Sequence, residues 1–418
     1  MAQRSYKYRI YPNRTQQKQL AQFFGAKRWV WNACLAWRSN LYSELDESVS
    51  GVDFSRELTF LKQLECFDWL RLTPATVYIQ ALRDQDAAFR RFFKEGAGYP
   101  RFKSRHGHQA IRFQLDQRIV MNNYRAGELL KLPGLGAIKV RWTRKPVGIP
   151  KMATVSKDTA GRYFVSMSIK EETATKPIIG KTCGIDLGVK DAVVVSDGTK
   201  YLNPRHLLQY AEQMRRLQQR LARQQKTSNR RATTKLRIAK LHTRIADARQ
   251  NHLHQLTTRL INENQVICVE DLNVAGMTRS AAGALDNPGR NVRQKAGLNR
   301  SILDVSFGEL VRQLEYKAQW YGRTLVKIDR WFPSSKTCSC CGHKLDELRL
   351  DVREWTCPKC RTVHDRDINA AINIETEGLK LLTPGGPGEV RDAGGERACP
   401  VSVSPRSTVQ PSTCQEQV

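Results

Sequence analysis

The 418-residue sequence predicts an α/β protein of more than one domain, with a metal-binding ribbon late in the chain. Three observations carry that prediction. Short apolar segments of strand length alternate with helical periodicity, first around Tyr6 and again after Lys181. Two Cys-x2-Cys pairs, Cys338/Cys341 and Cys357/Cys360, are separated by fifteen residues. Two apolar strand-like runs carry acids, Asp186 and Glu270, at or near their ends.

Taken in order, Tyr6, Tyr8 and Ile10 alternate with Lys7 and Arg9, a period of two that reads as a strand ended by Pro12. Three helical stretches follow. The first carries Leu20, Phe23, Val30, Trp31 and Leu35, and the second Leu58, Leu61, Leu64 and Trp69. The third opens at Thr73-Pro74, an N-cap followed by proline at the first helical position, and runs to Phe93 before the Gly96–Gly98 breaker. Residues 100–105 form a basic loop, and strand-like pieces recur at 111–115, 137–142 and 163–169. A helical bundle is thus expected between a first strand and a small β-domain.

From Lys181 the texture changes. Segments 183–187 and 192–196 read as buried strands, and Asp197-Gly198 is a hairpin turn signal leading to a third. A helical region is expected over 207–262, a strand over 266–270, a loop over 276–297, a helix over 302–321 and a strand over 324–328. The tail from about Thr383, rich in Gly, Pro and Ser, is expected to be disordered.

Charge points to a polyanionic partner. Lys+Arg number 69 against 40 Asp+Glu, a net charge of +29, and the pI of 9.9 passes the mark of about 9 that accompanies nucleic-acid binding. Between Arg215 and Arg249 stand twelve Lys/Arg and one acid, Asp247, a distribution suited to phosphate contact. The start of the chain is polar and basic, and no apolar run approaches the roughly 20 residues of a membrane span, so a cytosolic protein without membrane contact is expected.

Five of the eleven cysteines crowd between Cys338 and Cys360, which in a reducing compartment reads as metal binding. The two knuckles match a closed four-cysteine zinc site, structural because no coordination position is left open, with Cys340 a bystander. Arg361 follows the second knuckle where glycine would turn more easily. Asp186 lies between two glycines, which would let a ligand approach the backbone, and a buried strand acid is costly unless paired or metal-bound. Glu270 ends a second apolar run, and Asp365 and Asp367 precede a short helix beginning near Ile368. Convergent carboxylates are hard ligands suited to Mg2+, and two such ions serve phosphodiester hydrolysis.

Together these stretches resemble the TnpB (OrfB) family of RuvC-like nucleases encoded by bacterial insertion sequences and similar to compact type V CRISPR effectors. The matching segments are GIDLGVKD (184–191), VEDLN (269–273), WFPSSKTCSCCG (331–342), residues 355–360 and HDRDINAAINI (364–374), with AFRRFF (88–93) and GYPRFKS (98–104) in the first half. The likeness spans residues 5 to 376; Arg361 departs from the usual glycine, and the tail matches nothing.

The resemblance implies an RNase H-like (RuvC) nuclease domain over 176–376 with a four-cysteine zinc ribbon inserted at 336–362. Before it stands a small β-barrel (wedge) domain, 1–14 and 106–175, carrying an inserted helical recognition domain, 15–105. Residues 377–418 would be a disordered tail. It implies catalytic acids at Asp186, Glu270 and Asp367, with Asp367 favoured over Asp365 because the family's acid precedes the x-Asn-Ala-Ala run directly. These three would hold a two-ion Mg2+ site, with Mn2+ able to substitute, and Cys338, Cys341, Cys357 and Cys360 a structural Zn2+. The implied partners are a guide RNA from the element and double-stranded target DNA beside a short adjacent motif, handled by a monomer near the nucleoid of a bacterial or archaeal cell. Candidate nucleic-acid contacts are Gln80, which could read adenine, with Arg83, Arg101, Lys103, Arg215, Arg216, Arg230 and Arg231. Two other readings are a nuclease-inactive RNA-guided regulator and a zinc-ribbon DNA-binding protein acting without RNA.

Overall fold

A computed structural model describes residues 2–115, 129–144, 146, 148, 150–173, 175–284, 286–349 and 351–382. The chain divides into two compact units, Met1–Glu172 and Thr173–Val418.

In the first unit, β1 (Ala2–Tyr11) leads through an Asn13/Gln16 capping box into α1 (Arg14–Leu45). Then come α2 (Gly51–Leu61), α3 (Asp68–Arg71) and α4 (Ala75–Glu95), followed by β2 (Gln109–Gln114), β3 (Leu129–Leu132), β4 (Gly136–Arg141), β5 (Met152–Lys157) and β6 (Tyr163–Glu171). The strands form one sheet in the order β2-β5-β6-β1-β4-β3. β1 lies antiparallel between β6 and β4 and buries Tyr6, Tyr8 and Ile10, the face its period-two pattern predicts. The Gln16 side chain donates to the carbonyls of Leu135 and Ala137, stitching the start of α1 to the β3–β4 connection. A second core, among the helices, gathers Val30, Cys34, Phe54, Leu58, Leu70, Tyr78 and Leu82.

Several local expectations need correction here. The second helical stretch is not continuous: after α2 the chain tightens into successive three-residue turns, with Gln63 N–H donating to Phe60 O and Phe67 N–H to Leu64 O, before α3 begins. Pro74 itself holds the cap position of α4, and no side chain caps that helix. β3 and β5 had no sequence signal strong enough to read.

In the second unit, β7 (Thr182–Asp186), β8 (Asp191–Val195) and β9 (Lys200–Leu202) form an antiparallel meander. The helices α5 (His206–Gln209), α6 (Ala211–Arg223) and α7 (Asn229–Glu263) follow, then β10 (Val266–Glu270), α8 (Val274–Met277), α9 (Val292–Val305), α10 (Phe307–Tyr321) and β11 (Thr324–Ile328). The sheet order is β11-β10-β7-β8-β9, with β7, β10 and β11 mutually parallel. The ribbon strands β12 (Glu354–Thr356) and β13 (Val363–Asp365) pair antiparallel, and α11 (Arg366–Lys380) closes the described chain.

Residues 207–262 are three helices rather than one region, since the chain turns at 224–228 and α6 packs back on α7 through Met214, Leu241 and Ile245. The expected 302–321 helix is interrupted at Ser306, whose φ of 62° is left-handed, so α9 and α10 meet at a corner. α9 begins at Val292, within the segment expected to be loop. α11 reaches Lys380, so residues 377–380 of the expected disordered tail are helical, and 381–382 form a turn whose leucines pack against the core; residues 383–418 lie outside the described residues.

Strand alternation decides what each face of the second sheet carries. Cys183, Ile185 and Ile267 pack with Leu253, Leu256 and Leu260 of α7 and Leu310 and Leu314 of α10. Val266, Cys268, Val326 and Ile328 pack with Ile374 of α11 on the opposite face. By the same period of two, Asp186 and Glu270 belong to the α11 face.

Candidate active site and cysteine cluster

β10 pairs with β7 in the register Val266↔Thr182 to Val269↔Ile185, so Asp186 and Glu270 end adjacent parallel strands at the same edge. Asp367 lies in the first turn of α11, which crosses that face. The approach of α11 is close: a Cβ at Gly184 would overlap the Ala371 carbonyl, and one at Gly378 would overlap the Cys268 side chain. Gly184 is therefore required by helix-on-strand packing, which corrects the expectation that it admits a ligand to the backbone.

The three acids share one electrostatic environment. Burial, reinforced by the charges of Glu270 and Asp367, pushes the Asp186 carboxyl up to about 7. Burial also raises Glu270, opposed by the Ser334 hydroxyl, which donates to its Oε1 at 2.5 Å. Asp367 faces Arg353 at 3.4 Å.

Asp365 is differently engaged. Its Oδ1 accepts from the N–H groups of Asp367 (3.1 Å) and Ile368 (3.0 Å), and its Oδ2 pairs with Lys200 at 2.6 Å. Burial alone would raise its carboxyl, but Lys200 and the two N–H groups hold it below the usual carboxylate range. This acid is committed to capping α11.

All four predicted thiols, those of Cys338, Cys341, Cys357 and Cys360, lie within 4.8 Å of one another, and Cys340 is exposed outside the set. Backbone N–H groups of Cys340 and Cys341 point at the Cys338 sulfur and that of Thr362 at Cys360; with the Thr362 hydroxyl, the latter lowers the Cys360 thiol to about 6. The two knuckles close alike: Gly342 N–H donates to Cys338 O and Arg361 N–H to Cys357 O, both at 2.9 Å. Gly342 has φ 73° and Arg361 φ 57°, so the arginine holds a left-handed turn, as the sequence comparison of the knuckles implies. Four converging thiols with their N–H donors, and no carboxylate among them, suit a closed tetrahedral site for a thiophilic ion.

Sequence reasoning missed the residues that join cluster to carboxylates. Asn369 and Asn373, one turn apart on α11, donate to the Thr337 carbonyl at 2.8 and 2.6 Å, and Asn373 also donates to Ser334 O at 2.8 Å. Asn369 Oδ1 accepts from Ser339 N–H at 2.9 Å. His364 lies with Nε2 at 3.0 Å from the Cys338 sulfur and against the Trp355 ring. The signal was present as two asparagines at i, i+4 inside the otherwise apolar run 368–374, where a buried amide requires a partner.

The candidate nucleic-acid residues separate into three groups. Gln80 is only 6 % exposed, on the inward face of α4 beside Val77 and Ala81, which removes it from a base-reading role. Arg231 is committed to packing: its guanidinium donates to the carbonyls of Leu221 and Gln224, closing the end of α6. Lys103 is half-engaged, its ammonium 3.4 Å from the Trp31 ring centre and lowered to about 8 by burial and by Lys27. Its loop is clamped to α1, with Asn32 bonded to both backbone groups of Lys103 and Trp31 Nε1–H donating to Arg101 O. Arg83, Arg101 and Arg230 are exposed; Arg215 and Arg216 are exposed too but share Glu212.

Three family profiles match the chain: "Helix-turn-helix domain" over residues 1–46, "Probable transposase" (OrfB of IS605 elements) over 164–281, and "Cas12f1-like, TNB domain" over 307–374. In the structure the first of these regions holds a strand and one long helix, β1 and α1. A Streptomyces pristinaespiralis protein named as an RNA-guided DNA endonuclease is 38% identical over 378 residues, covering 90% of this chain and 89% of that one. InsQ of Escherichia coli (strain K12), also named as an RNA-guided DNA endonuclease, is 33% identical, covering 91% and 94%. Among solved structures, the chain in a Cas12f1-sgRNA-target DNA complex superposes with a TM-score of 0.52 at 13% identity, over 90% of this chain and 98% of that one, a likeness of fold. Among the described residues no helix is long and apolar enough to cross a membrane.

Proposed function

The chain belongs to the TnpB (OrfB, IS605) family, and from that premise we propose that it is a transposon-associated, RNA-guided DNA endonuclease whose reaction centre is Asp186, Glu270 and Asp367. One observation carries the assignment of the centre. Two acids end neighbouring parallel strands on the face crossed by α11, and the third stands in that helix's first turn, close enough that both others raise Asp186. The strand order β11-β10-β7-β8-β9, with its antiparallel meander and parallel β10 and β11, supports an RNase H-like (RuvC) reading of this sheet. In the first unit, the six-stranded sheet with helices inserted after β1 supports the reading of a wedge domain (1–14, 106–175) carrying a recognition domain (15–105).

The three carboxylates fit hard divalent cations, Mg2+ or Mn2+, which when bound supply Lewis-acid activation of water and stabilisation of the leaving oxygen. The chain's own groups prepare that chemistry. Ser334 orients Glu270, and Asp365 with Lys200 fixes the turn that presents Asp367. Burial and the charges of Glu270 and Asp367 hold the Asp186 carboxyl up near 7, so a bound cation there would offset like-charge repulsion. Zn2+ fits the four thiols, in a structural role, because the donor set is complete. The guide RNA would supply sequence specificity by pairing, leaving the protein to hold phosphate through exposed cations such as Arg83, Arg101 and Arg230.

The test is to sequence RNA that copurifies with the full chain, then assay guided plasmid cleavage in Mg2+ and in EDTA. A discrete element-derived RNA and cleavage lost in EDTA and in Asp186→Ala, with RNA retained, is the expected result. Cleavage that persists in Asp186→Ala overturns the centre.

A further inference from the structure

Trp331 is 85 % exposed, although tryptophan is on average among the more buried residues. Its loop is held from both sides. Its own N–H donates to Asp329 Oδ1 at 2.7 Å, and Arg330 pairs with Asp271, the residue after Glu270, at 2.5 Å. Phe332 packs into the core with Val326 and Ile374. Three residues on, the Ser334 hydroxyl holds Glu270 while its carbonyl accepts from Asn373. A bare indole on a loop fixed at its flanks is a platform whose ordering cost is already met.

That platform stands beside the carboxylate edge, since residues on each side of it bond to Glu270 and Asp271. Arg330 and Arg353, both exposed, flank it, each paired with a carboxylate, Asp271 and Asp367. We propose that Trp331 is a substrate-positioning residue whose ring stacks on an unpaired base of the DNA strand drawn to the Asp186–Glu270–Asp367 centre. The inference rests on the endonuclease reading above. It commits to a single strand because duplex bases are buried in their own stack, whereas every unpaired base offers a π-face.

The experiment uses the full chain without added Mg2+ or Mn2+, so that binding is read apart from cleavage and the thiol site is not exposed to a chelator. Binding of a short single-stranded DNA and of the matching duplex is followed by tryptophan fluorescence and by anisotropy of a labelled strand, for wild type, Trp331→Ala and Trp331→Phe. Trp331→Ala should bind the single strand about 5- to 100-fold more weakly, with wild-type duplex affinity, salt dependence and melting temperature. Trp331→Phe should recover most of the loss, and the wild-type quenching on strand addition should be absent from both variants. Unchanged single-strand affinity in Trp331→Ala, equal losses in both variants, or a matching loss for duplex overturns the proposal. Guided cleavage by the same proteins separates the two readings: a wild type that binds strand through Trp331 yet never cuts sinks the endonuclease reading and leaves the stacking site standing.

Discussion

Asp365 accepts the backbone N–H of Asp367 at 3.1 Å, so one acid at the start of α11 builds the turn on which the other is displayed. Two neighbouring carboxylates thereby divide into a cap and a candidate ligand. Substituting them should have different signatures. Asp365→Ala should cost about 0.5–2 kcal/mol of stability through the lost cap. Asp367→Asn should leave melting unchanged or slightly raised, by relieving like charge near Asp186, while abolishing cleavage. Thermal melts paired with plasmid cleavage decide; equal losses of stability in both variants would contradict the division.

The raised Asp186 carboxyl makes a pH prediction. Its folded value, about 7, exceeds the ordinary 3.8, so folding is penalised when the group ionises. Its contribution to stability is complete below pH 3.8 and is lost as pH rises to 7. In EDTA the wild type should therefore lose on the order of 2–4 kcal/mol relative to Asp186→Asn between about pH 4 and 7.5. Divalent cation should reverse that loss above about pH 7, because binding favours the ionised, folded form. Parallel pH profiles for the two proteins would show that Asp186 is not raised.

Arg361 occupies the turn position that Gly342 occupies in the other knuckle, with φ of 57° against 73°. A side chain there costs about 1 kcal/mol. Arg361→Gly should stabilise the ribbon by about 0.5–1 kcal/mol and slow metal release to a chelator, whereas Gly342→Ala should do the reverse. Chelator-challenge kinetics with a colorimetric zinc indicator measure both.

The cysteine cluster should matter to cleavage as well as to folding. Cys338→Ser or Cys357→Ser should lower soluble yield or melting temperature, and elemental analysis of the wild type should find about one zinc per chain. Asn373→Ala keeps all four thiols but removes the 2.8 Å donor to the Ser334 carbonyl and one of the two amide donors to the Thr337 carbonyl, so it should reduce cleavage with zinc content unchanged. Full activity in a folded Asn373→Ala variant would show that the helix does not depend on this fastening.

The sequence by itself determined those features that depend on near neighbours in the chain. The Cys-x2-Cys spacing fixes two knuckles because each is closed by its own backbone, and Tyr6, Tyr8 and Ile10 declare an inward face by alternation alone. That Asp186 and Glu270 end strands was legible from the apolar runs they close, while their adjacency came from the pairing of those strands. Tertiary structure decided everything that depended on which element packs against which. Gln80 looked available on an amphipathic helix, but α1 and the sheet cover that side of α4. Arg231 looked like one more cation in a basic run until α6 folded back and offered it carbonyls. Gly184 answered to a helix nearly two hundred residues away, and Asp365 to Lys200 on a distant hairpin. Local periodicity specifies a face, whereas burial and hydrogen-bond partners are set by long-range contacts that leave no trace in spacing.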